Sequence, residues 1–94
     1  MTVRWSAGAD DDLAEIIAYI AADDPSTAGR VLEKVLDTTA NLARHPGLGR
    51  PGRVTGTREL VVSGLPYIVI YRESVVDILI LRILHAARNW PAAS

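Results

Sequence analysis

The residues of this chain that could do chemistry are one glutamate, one histidine and a group of arginines. Cleavage of RNA without a metal needs a base for the 2′-hydroxyl, an acid for the leaving oxygen and cations for the phosphate. The C-terminal half supplies side chains of each type, namely Glu59, His85, Arg58, Arg72, Arg82 and Arg88. The same residues allow a plainer interpretation, in which Arg58 and Glu59 are strand-edge charges and Arg82 packs or pairs along a strand.

Other catalytic and metal chemistries find little support in the sequence. The chain has no cysteine and two histidines, His45 and His85, which lie on different elements without an i, i+4 partner, so we expect no metal site. The glycine-rich stretch 49–53 lacks the Gly-Lys-Ser/Thr end of a phosphate-binding loop and precedes a strand. It is interpreted as a flexible basic loop, and no cofactor is expected.

The charge of the chain is divided unevenly between its two halves. The net charge is −1, yet residues 1–43 carry three bases and eight acids, which gives −5, and residues 44–94 carry seven arginines and three acids, which gives +4. All the positive charge of the second half comes from arginine, whose planar fork suits carboxylates and phosphates. A solvated basic surface is the plainer explanation.

The length of 94 residues predicts a single domain over 1–94, because so short a chain cannot build two cores. The apolar fraction of 49% consists mostly of Ala, Val, Leu and Ile, which predicts an aliphatic core. Charged residues interrupt every apolar stretch well before the ~20 residues that a membrane helix needs. We therefore expect a cytoplasmic protein.

Two helices must position the first half of the chain. Ser6 is a plausible N-cap for a helix with the apolar stripe Leu13, Ile16, Ile17 and Ile20. Asp24 can cap a second helix that begins at Pro25. The stripe of that helix runs through Ala28, Val31, Leu32, Val35, Leu36, Thr39 and Leu42. The short connection between them predicts an antiparallel helical hairpin.

Strands are predicted on both sides of this hairpin. Residues 2–5 alternate as a short strand, and residues 57–62, 67–72 and 75–84 predict an antiparallel meander after the exposed loop 47–56. The meander would bring Arg72, His85 and Arg58 towards one end of the sheet. Along the last strand, simple alternation places Ile78, Ile80 and Leu84 on one face, and Leu79, Leu81 and Ile83 on the other.

The last strand is apolar on both faces, and this predicts a binding surface. Such a strand needs cover on both sides, and the helical hairpin can shield only one of them. An exposed apolar patch with a charged rim is typical of a site for another protein chain. The alternative is that the tail and the loop cover the second face within the chain.

The order and spacing of several segments resemble those of the RelE/ParE toxin superfamily, and of its ParE branch in particular. The resemblance covers nearly the whole chain and rests on residues 9–20 (ADDDLAEIIAYI), 49–53 (GRPGR) with 56–60 (GTREL), 66–72 (PYIVIYR), and 83–88 (ILHAAR) with Trp90-Pro91. It implies an α+β fold of order β-α-α-β-β-β with a short C-terminal tail. The hairpin would pack on one face of a small antiparallel sheet.

The resemblance also implies a function, the toxin of a type II toxin–antitoxin system. ParE-like toxins inhibit DNA gyrase and so replication, and a cognate antitoxin neutralises them by direct binding. A toxin of this kind would not be an enzyme, and it would meet operator DNA only through its antitoxin. The expected gyrase-binding residues are Arg58, Arg72, Arg82, Arg88 and Trp90, and the expected antitoxin-binding residues are Leu13, Ile17, Ile20, Val31 and Val35.

Two alternatives remain open at the level of sequence. RelE-like members of the superfamily cleave mRNA on the ribosome, and here His85 would serve as acid or base and Glu59 as base. These interferases commonly carry Tyr-Arg-Leu-Val-Tyr in the strand where this chain has Ile68 in place of the arginine, which favours the ParE-like function. The other alternative is a toxin-like module that acts as a scaffold or co-repressor with a DNA-binding antitoxin.

Overall fold

The two apolar stripes of the first half form two helices in the computed structural model, which describes residues 1–87. Helix α1 spans Ala7–Ala21 and helix α2 spans Pro25–Asn41. The predicted caps are confirmed, because Ser6 Oγ accepts the Ala9 N–H and the Asp24 carboxylate accepts the Thr27 N–H. Each cap satisfies a backbone donor that the first turn would otherwise leave open.

Five strands form one sheet in the order β1-β5-β4-β3-β2. Their ranges are β1 Thr2–Trp5, β2 Arg50–Pro51, β3 Arg58–Val61, β4 Tyr67–Glu73 and β5 Asp77–His85. The antiparallel meander β3-β4-β5 is confirmed, and so is the α+β fold. The sheet is mixed rather than purely antiparallel, because β1 lies parallel to β5 on the outer side of the meander.

The last strand begins two residues later than predicted. Ser74 closes the turn between β4 and β5: its N–H donates to Asp77 O (2.9 Å), and its Oγ accepts the Asp77 N–H (3.2 Å). Val75 and Val76 therefore lie at the tip of the turn, with exposed fractions of 95% and 71%. Their β-branched side chains mimicked strand residues in the sequence.

A β-bulge in β5 changes which apolar residues face the helices. Ile70 pairs with Arg82, but the next residue, Tyr71, pairs with Ile80, so Leu81 has no partner across the strands. The extra residue reverses the alternation. The predicted faces are therefore wrong beyond the bulge. Ile83 joins Ile78 and Ile80 in the helix-facing core, whereas Leu84 and Leu81 join Ile68 and Ile70 on the outer face.

The residue that precedes α1 also supports the bulge. Ser6 N–H donates to Ile80 O (2.9 Å), and Ser6 Oγ donates to Leu81 O (2.9 Å) while it accepts the Ala9 N–H. One serine therefore caps the helix and satisfies a carbonyl of the unpaired residue. The start of α1 and the irregular point of β5 are fixed to each other.

The outer face of the sheet is less open than the sequence predicts. Its apolar residues Ile68, Ile70 and Leu84 have exposed fractions of 8%, 1% and 6%, so the expected apolar patch is wrong for these residues. The bulge contributes to this result, because it turns Leu84 onto the face of Leu81, and Leu81 packs against this group. On this face the exposed apolar side chain is Val61, which pairs with Ile68 and is 54% exposed. Other exposed apolar side chains lie away from it, at Tyr19, Leu36 and Leu48.

The segment predicted as a loop has internal structure and is tied to the core through Tyr71. It contains a short 3-10 helix, Pro46–Leu48, and the two-residue edge strand β2. The buried Tyr71 hydroxyl donates to Pro46 O (2.7 Å) and accepts the Gly49 N–H (2.8 Å), and burial raises the pKa of Tyr71. A Cβ at Gly49 would lie 2.8 Å from a Tyr71 ring carbon, so this approach requires glycine.

We predict that Tyr71→Phe lowers the free energy of unfolding by about 1–3 kcal/mol, because it leaves a buried N–H and a C=O without their partner. Chemical denaturation followed by circular dichroism measures the change. Tyr67→Phe is the matched control, since Tyr67 is a half-buried tyrosine on the same strand. Equal losses in the two variants would show that the Tyr71 hydroxyl does not anchor the loop.

Candidate functional site

The sheet separates the candidate residues that were expected to lie together at one of its ends. On β4 and β5, Arg72 pairs with Leu79 and Tyr67 pairs with His85. Arg72 and His85 thus lie six residues apart along β5, which corresponds to roughly 20 Å. The prediction of one shared end is wrong, because neighbouring antiparallel strands finish at opposite ends of a sheet. Arg58, which pairs with Tyr71, lies at the Arg72 end.

Arg58 and Arg72 share that end but differ in their surroundings. Arg58 Nε donates to Glu73 Oε1 (3.0 Å), and its Nη1 donates to Gly49 O (2.9 Å). It therefore links β3, β4 and the loop, with a side-chain exposure of 33%. Arg72 is exposed, and its guanidinium forms no ion pair within residues 1–87. Arg72 is the freer of the two cations for a partner.

Arg82 is held by a carboxylate of α1. Arg82 Nε and Nη2 donate to the two oxygens of Asp12 (2.7 and 3.0 Å), and the Ile83 N–H donates to the same carboxylate (3.0 Å). The hydrogen bond with Asp12 raises the pKa of Arg82. The pair fixes α1 against β5, whereas the plainer interpretation of Arg82 predicted only that it would pack or pair along the strand. Asp12 was not among the residues that the sequence predicted for a site.

Glu59 is a buried carboxylate surrounded by arginine. It is 4% exposed; its Oε1 accepts from Arg50 Nη2 (3.2 Å) and its Oε2 accepts from the Arg53 N–H (2.9 Å). Arg53 Nε lies 3.8 Å from Oε1. Burial raises the pKa of Glu59, but the Arg53 N–H and the two guanidinium groups outweigh it, and the pKa lies below its usual value. Glu59 is consequently a weak base whose oxygens are already engaged.

His85 lies at the other end of the sheet and on the face that carries the helices. Its Nδ1 accepts the Ala87 N–H (3.1 Å), and its ring meets Tyr67 edge-on at 5.7 Å. With Glu15 and Tyr19 of α1 it borders an open cavity of about 550 Å³. The histidine is exposed and accessible, but no second acid or base of the predicted set accompanies it there.

The residues predicted to bind a partner on the helices belong largely to the core. Val31 and Val35 are 6% and 0% exposed, so their side chains present no surface to another chain. Leu13, Ile17 and Ile20 are half-buried and pack against the same core from α1. Only these three have area left for a partner. The remaining candidates, Arg88 and Trp90, lie outside the described residues.

Between residues 1 and 87, no three His, Asp or Glu side chains come close enough to share a metal ion. Over the same range, no helix combines the length and the apolar character needed to cross a bilayer.

Comparison with known families identifies the fold and the function class. The family model of the ParE toxin of the type II toxin–antitoxin system parDE matches residues 3–90. The chain belongs to this ParE toxin family. It is 46% identical over 89 residues to the candidate toxin Y4kP of Sinorhizobium fredii, a match that covers 95% of this chain and 92% of Y4kP. It is 37% identical over 86 residues to toxin RelE2 of Caulobacter vibrioides, covering 92% of this chain and 96% of RelE2.

Solved structures of related systems share the fold. The chromosomal ParDE toxin–antitoxin system of P. aeruginosa matches with a TM-score of 0.81 and 27% identity, over 90% of this chain and 95% of the matched chain. The RelBE2 toxin–antitoxin complex of Mycobacterium tuberculosis matches with a TM-score of 0.65 and 28% identity, over 89% and 95%. The resemblance drawn from the sequence is thereby confirmed for a ParE-type toxin.

We predict that Asp12→Ala destabilises the ParE-type fold by about 1–3 kcal/mol, because it removes the acceptor of three N–H groups and leaves Arg82 partly buried without its partner. Thermal and urea unfolding measure the loss. Asp11→Ala is the control, because it removes the same charge from the neighbouring exposed position. If both variants unfold alike, the Asp12–Arg82 pair does not hold the helix on the sheet.

Proposed function

We propose that this toxin arrests growth by binding DNA gyrase, rather than by cutting RNA, and that a cognate antitoxin neutralises it. The observation that carries the proposal is the position of the two acid–base candidates on opposite faces of the sheet. Glu59 pairs with Ile70, whose side chain lies on the outer face, and His85 pairs with Tyr67, which packs on the helix face. The strand spacing puts them roughly 14 Å apart.

This geometry is unfavourable for metal-free RNA cleavage by the predicted pair. The base and the acid must both reach one phosphodiester within hydrogen-bond distance. Two groups separated by a sheet cannot do so. In addition, the ion pairs of Glu59 stabilise its charged form, which makes it a poor acceptor of the 2′-hydroxyl proton. The site therefore favours binding through arginine over acid–base catalysis.

The target-binding residues of this proposal are the arginines first suggested by the sequence, with Trp90. Arg72 is the residue best suited to contact gyrase, since it is exposed and forms no ion pair within residues 1–87. Arg58 and Arg82 keep part of their donors for the target but also hold the fold together. Charge reversal at these two positions would disturb folding as well as binding, so Arg72 offers the cleaner test.

The antitoxin is the second partner of this proposal, and helix α1 is the surface proposed for it. The related structures from P. aeruginosa and M. tuberculosis are toxin–antitoxin systems, which supports such a partner here. Leu13, Ile17 and Ile20 keep exposed edges along α1, and Tyr19 beside them is 82% exposed. An apolar antitoxin segment would bury these edges. Both partners imply a cytoplasmic location.

Ribosome-dependent RNA cleavage is the second candidate function, and the environment of His85 favours it. The ring is accessible, lies against Tyr67 and borders a cavity, and one relative of this chain carries the name toxin RelE2. In this mechanism His85 would act as the acid or base without Glu59. It requires that toxicity disappear when the imidazole is removed.

We predict that Arg72→Glu abolishes growth arrest on induced expression without antitoxin, whereas His85→Ala leaves it intact. The first variant reverses the exposed cation proposed to contact gyrase, and the second removes only a ring that the proposal does not use. Growth curves and viable counts measure the effect, with circular dichroism to verify folding. Arg30→Glu is the control, because Arg30 is an exposed arginine on α2.

The opposite pattern would contradict the proposal. Loss of toxicity in His85→Ala, together with full toxicity in Arg72→Glu, would assign the toxin to RNA cleavage. Loss of toxicity in Arg30→Glu would show that the effect follows total charge and not the Arg72 surface.

A further inference from the structure

Three arginines gather on the outer side of the sheet around the buried carboxylate of Glu59. Arg50 lies on β2 directly opposite Glu59. Arg53 follows in the connection to β3 and contacts the same carboxylate. Arg72 lies on β4 two residues beyond Ile70, which pairs with Glu59, so its side chain emerges on the same face. The sequence had assigned Arg50 and Arg53 only to a flexible basic loop.

Glu59 holds two of these side chains without covering them. Its own side chain is 2% exposed, whereas those of Arg50 and Arg53 are 63% and 49% exposed. Each guanidinium therefore directs one edge inward to Glu59 and leaves other N–H donors to the solvent. Because the ion pairs restrict the side chains in advance, a ligand that binds the outward donors loses less conformational entropy.

The backbone of the connection keeps Arg53 close to Arg72. The Gly52 N–H donates to Thr57 O (2.8 Å), and Thr57 Oγ1 donates to Val54 O (2.6 Å). Gly56 adopts a positive φ of 84° that closes this turn. A Cβ at Gly56 would lie 4.0 Å from Arg72 Nε, so the Arg72 side chain crosses the turn that carries Arg53.

The cluster carries a net positive charge. Arg50 and Arg53 share the single carboxylate of Glu59, Arg72 forms no ion pair within residues 1–87, and the nearby acid Glu73 is engaged by Arg58. The pKa of Glu59 is lowered, so this balance persists at neutral pH. The cluster therefore keeps a surplus of two positive charges for an external anion. All three cations are planar guanidinium groups, whose N–H donors match the oxygens of a phosphate.

We propose that Arg50, Arg53 and Arg72 form a binding site for the phosphate groups of nucleic acid. A protein partner would need an apolar centre in its interface. On this face Ile68, Ile70 and Leu84 are buried, and the exposed Val61 lies beside Ile68, four residues along β4 from Arg72. A phosphate backbone needs only exposed cations. This step rests on the proposed function, in which the nucleic acid is the DNA that gyrase holds.

Fluorescence anisotropy of a labelled DNA duplex, titrated with the purified toxin over a series of salt concentrations, tests the site. Affinity for DNA falls as salt rises, so the slope of log affinity against log salt is negative. The triple variant Arg50→Gln, Arg53→Gln, Arg72→Gln should make this slope less steep by about 3, roughly one for each lost phosphate contact. The control triple Arg4→Gln, Arg30→Gln, Lys34→Gln changes the net charge equally at positions away from Glu59, and its slope should stay that of the wild type.

Arg72→Gln alone provides a variant that leaves the partners of Glu59 intact, so that its folding is not at risk. It should make the slope of log affinity against log salt less steep by about 1. Equal slopes for the Arg72 variant and the wild type, equal slopes for the two triple variants, or no binding by the wild type at low salt would each overturn the site.

A parallel titration with single-stranded RNA identifies the source of the phosphate. Tighter binding to RNA, lost in the same variants, would support the phosphate site and overturn its assignment to DNA. Tighter binding to the duplex would support both. Since gyrase is absent from this assay, failure of the site is distinguishable from failure of the proposed target, which only a gyrase assay reports.

Discussion

The carboxylate of Asp12 makes the contacts on which the position of strand β5 against helix α1 depends. Its oxygens accept hydrogen bonds from Arg82 Nε, from Arg82 Nη2 and from the Ile83 N–H. These residues follow directly after the bulge at which β5 changes its alternation. Ser6 satisfies the carbonyls of Ile80 and Leu81 on the other side of the bulge. The irregular part of β5 is thus completed by the start of α1. A regular strand would turn Ile83 away from the helices and open the core.

The half-buried carboxylate of Asp12 and the buried carboxylate of Glu59 also organise the arginine-rich half of the chain. Asp12 fixes Arg82, and Glu59 fixes Arg50 and Arg53. The hydrogen bonds of the buried Tyr71 hydroxyl with Pro46 O and the Gly49 N–H hold the same loop on the core. The unequal charges of the two halves are therefore only partly a surface property: some arginines serve the fold, and others keep donors free for a partner. Arg72 belongs to the second group.

The sequence predicted the features that depend on near neighbours. Ser6 and Asp24 were found as caps because capping acts within one turn, and the helices and the meander followed from their periodicity. The pairing of Asp12 with Arg82 joins residues 70 positions apart, and no local pattern signals it. The bulge escaped for the same reason, since it is a property of two paired strands. The faces of Ile83 and Leu84 were wrong as a result.

The candidate site was predicted less well than the fold, because its residues were chosen by type and by strand end. Arg72 lies next to the end of β4 and His85 ends β5, but antiparallel pairing sends them to opposite ends of the sheet. Val31 and Val35 followed a stripe that is simply core. Arg50 and Arg53 were underestimated, since their role depends on Glu59 across an edge strand. Their only local signal was the density of arginine in a glycine-rich loop.

We propose that this ParE-family toxin acts by binding gyrase rather than by cutting RNA. The most direct measurement incubates the purified wild-type chain with DNA gyrase and relaxed plasmid, and in parallel with translating ribosomes and a defined mRNA. We expect that supercoiling is lost while the mRNA stays intact. Cut mRNA with normal supercoiling would contradict it and would make His85 the residue to examine.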